Sequence, residues 1–348
     1  MRSPLLRKEP WLEIYSEIID VRSEGEYAED RIPGAINLPV LNNKERAKIG
    51  TIYKQISPFE ARKIGASLVA QNIAHHLSSH FADKKEDYCP LIYCWRGGQR
   101  SHSLALVLRQ IGWQVAVLDG GYQTYRNYVC EQLETLPQQF NYNVLCGLTG
   151  TGKTQILQRM LQQGMQVLDL EKLAQHRGSL LGQAWENKLA SQPSQKYFES
   201  LLLQQLQQCD RQKTIWIESE SHKIGRIYLP QGLWEKMKQS PCIEIRLPLE
   251  ERVTGLLQQY PHFIEHPDIL KEKLQRLKPC YGKEKLQQWF EWCDRQQWRR
   301  LVEDLLRQHY DPAYQRSLNR LFQPAGQAID LQDLEEQTIN DTIAMLPK

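Results

Sequence analysis

The sequence predicts an α/β protein of two domains in series, each built on a parallel sheet, the second a P-loop domain with a helical C-terminal region. Three observations carry this. Short apolar runs alternate with amphipathic stretches. The alternation pauses in an aperiodic, Pro/Gln-containing stretch, Leu133–Phe140. It then restarts with a complete phosphate-loop signature, Gly147-Leu148-Thr149-Gly150-Thr151-Gly152-Lys153-Thr154. A chain of 348 residues also suits two domains at about 100–200 residues each. The expected division is 1–132, a linker at 133–140, and 141–348.

In the first domain, strands are expected at Ile18–Val21, Ile36–Pro39, Leu91–Cys94 and Val115–Asp119, with helices at Ala61–Leu77 and Ser101–Gly112 between them. In the second, Val144–Leu148, Val167–Leu170, Ile215–Ser219 and Ile243–Leu247 read as strands, and Ile269–Leu321 as helical. The tail Asp330–Asp341 holds five acids and no base and reads as a solvated helix or a loose end.

Composition excludes several classes. Apolar content of 41% and charged content of 24% rule against wholesale disorder. A net charge of +3 permits an anionic partner without requiring one. The eight cysteines are scattered, with no CxxC pair and no zinc-like spacing, which argues against a structural metal and a disulfide framework. Most read as small buried hydrophobes in a reducing compartment. Met1–Asp20 has no apolar stretch of signal length, and no run approaches the ~18 residues of a membrane span. The expectation is a cytoplasmic protein that does not enter a membrane.

The first chemical motif is Cys94-Trp95-Arg96-Gly97-Gly98-Gln99-Arg100-Ser101. Leu91-Ile92-Tyr93 puts Cys94 at a strand's C-terminal end, Gly97 and Gly98 let the backbone curl with its N–H groups inward, and Ser101 begins a helix. Inward amides and a helix N-terminus cradle an anion and favour a thiolate, and Arg96 and Arg100 add positive charge. The alternative is a buried cysteine beside a structural turn. With Ile19-Asp20-Val21-Arg22, Glu26-Tyr27, Ile32-Pro33-Gly34-Ala35-Ile36-Asn37 and Leu118-Asp119-Gly120-Gly121-Tyr122, the domain resembles rhodanese, a sulfurtransferase fold. Asp20, Arg22 and Gly34 are expected to hold the loop's base and do no chemistry. The Cys-x5-Arg spacing is one residue longer than in common sulfurtransferase loops and is shared with cysteine phosphatases. Phosphatase chemistry therefore stays open.

In the second domain, Asn143–Cys146 leads into the P-loop and Gln155–Leu161 follows it as a helix, the context the motif needs. Gly147, Gly150, Thr151, Gly152 and Lys153 would cradle a diphosphate, and Thr154 would ligate Mg²⁺. Glu218 ends an apolar strand where a metal carboxylate or general base belongs. Glu220 and His222 follow it at once, and Asp169 and Glu171 end another strand and could share that mouth; each carboxylate has a plain alternative as a helix cap or surface charge. Arg177 and Ser179, in His176-Arg177-Gly178-Ser179, could bind phosphate or ribose, or only end a helix. Between Lys271 and Arg320 twelve Lys/Arg face seven Asp/Glu, interleaved with seven aromatics. That reads either as a nucleic-acid surface or as an amphipathic layer with its rings inward. His309-Tyr310-Asp311-Pro312, with Tyr314 and Ser317, is too polar for pure packing and suggests a site edge.

Both motifs in this order, with Leu170-Glu171-Lys172-Leu173-Ala174, His176–Ser179, Ile217-Glu218-Ser219-Glu220-Ser221 and His309–Pro312, resemble the family of bacterial tRNA 2-selenouridine synthases over almost the whole chain. Thr151 stands where that family's P-loop is expected to carry Ser. The resemblance implies replacement of sulfur by selenium in wobble 2-thiouridine of tRNAs for Lys, Glu and Gln. Geranyl diphosphate would first alkylate the sulfur, and selenophosphate would then supply selenium. It implies that the P-loop holds the geranyl diphosphate with Mg²⁺, while Cys94, with Arg96, Arg100, Gly97 and Gly98, holds selenophosphate and takes selenium as an S-selanyl group. The rival is a cysteine-dependent phosphatase or sulfurtransferase domain fused to a P-loop NTPase or kinase.

Overall fold

The computed structural model describes residues 5–7, 13–178, 181, 192–321 and 326–347. They form two compact units. One runs to Gln132 and includes Lys196–Gln204; the other comprises Leu133–Gln195 and Gln205–Lys348.

The first unit carries strands β1 (Leu5–Arg7), β2 (Glu17–Asp20), β3 (Ile36–Asn37), β4 (Pro90–Tyr93) and β5 (Ala116–Leu118), all parallel, in the order β1-β5-β4-β2-β3. A parallel sheet is covered on both faces, so its inner strands are apolar throughout rather than alternating; every residue of β4 and β5 is buried. The helices Pro58–Ser78 and Gln99–Ile111 fall where periodicity expects them. Ser57 caps the first by accepting from Phe59 N and Glu60 N, and proline at its first position needs no donor there. β1 escapes the sequence pattern because three residues in a charged terminus show no period.

Beneath the cysteine loop lies a buried ion pair. Arg22 Nη2 donates to Asp20 Oδ2 at 2.6 Å and to the Asp30 carbonyl at 2.6 Å, and its guanidinium lies 4.0 Å from the Tyr122 ring centroid. Such a charge is tolerated only when paired, and this pair braces the loop's base as expected of Asp20 and Arg22. Ser200, on the helix Gln195–Gln207, donates to Asp30 Oδ1 at 2.9 Å in the same unit.

The second unit carries β6 (Tyr142–Cys146), β7 (Gln166–Leu168), β8 (Ile215–Glu218), a hairpin of β9 (Lys223–Ile224) and β10 (Ile227–Tyr228), β11 (Cys242–Arg246) and β12 (Gln327–Asp330). The main sheet is parallel in the order β12-β11-β6-β8-β7. β6 is central and wholly buried, so the P-loop emerges at the carboxyl edge of the sheet, where ligands bind in open α/β folds.

Three features differ from the sequence expectation. Residues 133–140 finish the helix Tyr122–Thr135 and form a 3₁₀ turn at Leu136–Gln139, with Leu133, Leu136 and Phe140 buried. The acidic tail is not loose, and its helix is solvated on one face only: β12 extends the sheet, and the helix Glu336–Met345 exposes Glu336 and Asp341 while burying Ile339 and Ile343 in the same core as Ile156 and Trp216. Its five acids, the dominant sequence signal, conceal that sparse apolar set. Finally, Cys146 and Cys242, 96 residues apart in sequence, form a disulfide between neighbouring strands. Cys130 and Cys280 are exposed rather than buried.

The basic aromatic segment resolves toward packing. Trp289, Trp292, Leu301 and Leu305 form one core cluster with Phe263 and Leu270. Trp289 Nε1 donates to Asp304 Oδ2 at 2.7 Å, which Lys285 also pairs.

Candidate active sites

In the first unit, Cys94 follows β4 and is 3% exposed. Its Sγ accepts hydrogen bonds from Gly98 N at 3.2 Å and from Ser101 Oγ at 3.2 Å. Ser101, read from sequence only as a helix start, is fully buried under the thiol. The loop holds its curl because a second turn packs against it: Tyr122 N donates to Cys94 O at 2.8 Å and Gln123 N to Trp95 O at 3.2 Å. Gly97 has φ +61, and a Cβ there would stand 2.9 Å from Gly120 N and from Leu118 O. Gly98, by contrast, has negative φ and open space, and what it contributes is its N–H.

Arg96 is exposed on the loop. Arg100 has a different partner from the one expected: its Nη1 donates to Glu26 Oε2 at 2.8 Å and its Nη2 to Oε1 at 3.4 Å. Burial pushes the Glu26 carboxyl up, and Arg100, the Ser23 amide and Arg46 together more than offset this, leaving it below its ordinary value. Arg100 therefore ties the helix carrying Ser101 to the turn at Ser23–Glu26, and Glu26 balances much of its charge. Among the described residues, the donors to Sγ are an amide and a hydroxyl.

In the second unit the P-loop joins β6 to the helix Lys153–Gln162, with Gly147, Gly150 and Gly152 at positive φ. Thr151 is buried and its hydroxyl donates to Leu148 O at 2.9 Å. Lys153 Nζ folds back onto Gly147 O at 2.5 Å and Leu148 O at 3.3 Å, an ammonium held beside the cradle by carbonyls. Thr154 Oγ1 donates to Glu171 Oε2 at 3.3 Å.

Around this loop lies a cleft of about 730 Å³. Glu171, Glu218 and Glu220 each bring a carboxylate oxygen within 4.8 Å of the others. Glu218 is 1% exposed. Burial pushes all three up, Glu171 to about 7 and Glu220 to about 8, with Glu218 well above its ordinary value; the Glu171 charge adds to the rise of Glu218 and Glu220, while Lys153 opposes that of Glu171 and Glu220. Only Glu218 was favoured from sequence; the fold adds Glu171 from after β7 and Glu220 from after β8. Three carboxylates with the Thr154 hydroxyl form an all-oxygen set, the chemistry a hard divalent cation prefers. Asp169 caps the short helix Leu170–Ala174 by accepting from Lys172 N. His222 packs on Trp234 at 5.5 Å, outside the cleft lining.

Arg177 lines the cleft 5.1 Å from the Tyr260 ring; Ser179 lies outside the described residues. The far wall comes from the C-terminal helices. Tyr314 OH accepts from Gly147 N at 2.9 Å and shares a hydrogen bond with Ser219 Oγ at 2.5 Å, while His309 and Tyr310 line the mouth. Arg252, 3% exposed, donates to Thr149 O at 2.8 Å and pairs with Asp311 at 2.5 Å.

The fold and sites define a class: a rhodanese-like domain with a loop cysteine, followed by a P-loop domain with a carboxylate-lined cleft. Comparison with known proteins narrows it. The family described as the tRNA 2-selenouridine synthase AAA domain matches residues 140–272, and the rhodanese-like domain family matches 5–128. A tRNA 2-selenouridine synthase of Sulfurovum sp. is 31% identical, the alignment covering 90% of this chain and 93% of that one. One from Nitrosomonas europaea is 29% identical at the same coverage, and one from Hydrogenovibrio crunogenus is 35% identical over 70% of this chain and 67% of its own. The chain belongs to the tRNA 2-selenouridine synthase family. No described helix is long and apolar enough to cross a membrane.

Proposed function

We propose that this chain carries out its family's reaction, 2-selenouridine synthesis in tRNA, in two steps divided between its two sites. In the first, the sulfur of 2-thiouridine attacks C1 of geranyl diphosphate; the S–C1 bond forms, the C1–O bond breaks, and pyrophosphate departs with the electron pair. The P-loop amides and Lys153 bind that diphosphate and stabilise its developing charge. Thr154, Glu171, Glu218 and Glu220 would hold Mg²⁺, which supplies Lewis-acid neutralisation of the pyrophosphate.

Alkylation turns a poor leaving group into a good one. In the second step selenium from selenophosphate displaces it: the Se–C2 bond forms, the C2–S bond breaks, geranylthiol leaves, and cleavage of the P–Se bond by water yields phosphate. The loop around Cys94, with the Gly98 amide and exposed Arg96, binds the selenophosphate, and the Cys94 side chain beside it positions the selenium for attack on C2. Arg100 acts here by holding the helix that carries Ser101.

The observation that carries the reading is the P-loop cleft, where a diphosphate cradle and a buried three-carboxylate cluster meet in a chain that also bears the cysteine loop. The test is nucleoside mass spectrometry of thiolated tRNA incubated with the chain, Mg²⁺, geranyl diphosphate and selenophosphate. Formation of 2-selenouridine is expected, with S-geranyl-2-thiouridine accumulating when selenophosphate is withheld. Unchanged 2-thiouridine under both conditions would refute it.

A further inference from the structure

Alkylation of the thiouridine leaves one proton to place. The thione carries a hydrogen on N3, whereas its neutral S-alkyl product has a C2=N3 double bond and none. As the S–C1 bond forms, the N3–H bond breaks, its electron pair becomes the second C2–N3 bond, and the proton goes to a base.

Among the described side chains lining the P-loop cleft, few can take it. Lys153 and Arg177 are cations, Asp169 caps a helix through Lys172 N, and the three glutamates form the cation's oxygen set. Two histidines remain, His176 and His309. His176 Nδ1 is buried with no hydrogen-bond partner among the described residues, so no contact there fixes its tautomer.

His309 is held differently. It stands in a π-helical turn, Leu306–Tyr310, between the helices Trp298–Leu305 and Asp311–Leu321. Such turns are rare and recur at functional sites. Its Nδ1 lies 3.2 Å from the hydroxyl of Tyr281. That hydroxyl donates its one proton to Gln308 O at 2.9 Å, so toward His309 its oxygen accepts. Nδ1 therefore carries the hydrogen, and Nε2 keeps its lone pair. Tyr281 is itself set edge-on to Trp289, with ring centroids 5.2 Å apart. No described residue hydrogen-bonds Nε2. Burial, then the charge of Arg316, holds the imidazole below its ordinary value, so the ring is neutral near pH 7. The other charged groups of its cleft are Lys153, Lys172, Arg177, Asp169 and the three glutamates.

We propose that His309 is the catalytic base of the alkylation: Nε2 takes the N3 proton as the sulfur attacks, and Tyr281 is the positioning residue that holds the tautomer. The proposal rests on the diphosphate reading of the P-loop and adds the group that completes its proton balance.

The test follows S-geranyl-2-thiouridine in a single turnover, with the full chain in excess over thiolated tRNA, Mg²⁺ and geranyl diphosphate present and selenophosphate withheld. At about pH 7, His309→Ala and His309→Gln are expected to slow it about 100-fold or more, while melting and binding inorganic pyrophosphate as the parent does. Their defect should shrink at about pH 9, where the thiouridine loses its N3 proton to solvent. Added imidazole should restore part of the rate to His309→Ala. Tyr281→Phe should slow the reaction about tenfold, the worth of one hydrogen bond. Parental rates in both His309 variants, or a defect equal at every pH and unmoved by imidazole, would overturn the proposal. A parent chain that forms no S-geranyl-2-thiouridine overturns the P-loop reading instead. Should neither His309 variant fold, Tyr281→Phe decides: a tenfold loss supports the proposal and a parental rate overturns it.

Discussion

Replacing Gly121 by alanine places a methyl group 2.3 Å from Cys94 O and 2.5 Å from Gly97 N, both backbone atoms that no side-chain rotation can clear. The residue also sits at φ +62. Left-handed backbone costs a residue with a Cβ about 1–2 kcal/mol, and overpacking a close contact adds about 1–3 kcal/mol. The first unit should therefore lose about 2–5 kcal/mol, a fall of roughly 5–15 °C in its melting temperature. The strain falls on the cysteine loop, so the Gly98 amide and Ser101 hydroxyl lose their alignment on Sγ. Expected in the nucleoside assay is strong loss of 2-selenouridine, with S-geranyl-2-thiouridine still formed by the second unit. Gly98→Ala is the control: its φ is ordinary and a Cβ meets nothing within 4 Å, so it should keep the parent's stability. Parental selenation and melting in Gly121→Ala would refute the argument that these two turns are packed backbone to backbone.

Three other predictions follow from the same geometry. Ser101→Ala removes one of two donors to Cys94 Sγ; at about 1.4 kcal/mol per tenfold, alkylation of Cys94 by iodoacetamide at neutral pH should slow about tenfold, with melting nearly unchanged. Lys153→Ala should weaken pyrophosphate binding about 10- to 100-fold by calorimetry, the range for a charge-assisted hydrogen bond. For the carboxylate cluster, folded-state pKa values stand above unfolded ones, at about 7 for Glu171 and about 8 for Glu220. The associated stability is full below the unfolded values near 4.5 and is lost as pH rises through about 7 to 8. Without added metal, the second unit should therefore melt lower at pH 8.5 than at pH 6. Added Mg²⁺ should raise melting most at the higher pH, and Glu218→Gln should abolish that rise.

Where a strand is a dense apolar run, as in Leu91–Tyr93 or Ile215–Ile217, its place follows from local chemistry, because both faces of a parallel sheet need cover. Where an element's apolar residues are few, composition misleads. The tail after Gln327 carries Ile329, Leu331, Ile339 and Ile343 among five acids, and only the fold shows that the acids face outward while these four complete a core. Residues 133–140 fail for a related reason: proline and glutamine break periodicity without preventing Leu136 and Phe140 from burying. The Cys146–Cys242 pair depends on β11 lying beside β6, a neighbour relation that residue spacing does not encode.

The sites divide along the same line. Motifs whose geometry lies within a few residues of backbone, the thiol at a strand end and the glycine-rich cradle before a helix, are readable because their chemistry is local. Roles that depend on distant partners are not. Arg100 looks like a charge beside Cys94 until Glu26, 74 residues away, takes it up. The string His309–Pro312 hints at a site edge through its polarity, but only the fold brings Asp311 to Arg252 and Tyr314 to Gly147 and Ser219. An apolar slot among the helices Leu249–Gln259, Pro261–Glu265 and Trp298–Leu305 is the extreme case: Leu257, Leu301 and Val302, which line it, show the spacing of ordinary amphipathic helices. A helix face that fills a core and one that lines a cavity obey the same periodicity, and their difference is whether a partner side chain occupies the space between. That difference belongs to the packing of three helices against a loop, a relation that no single stretch of the sequence displays.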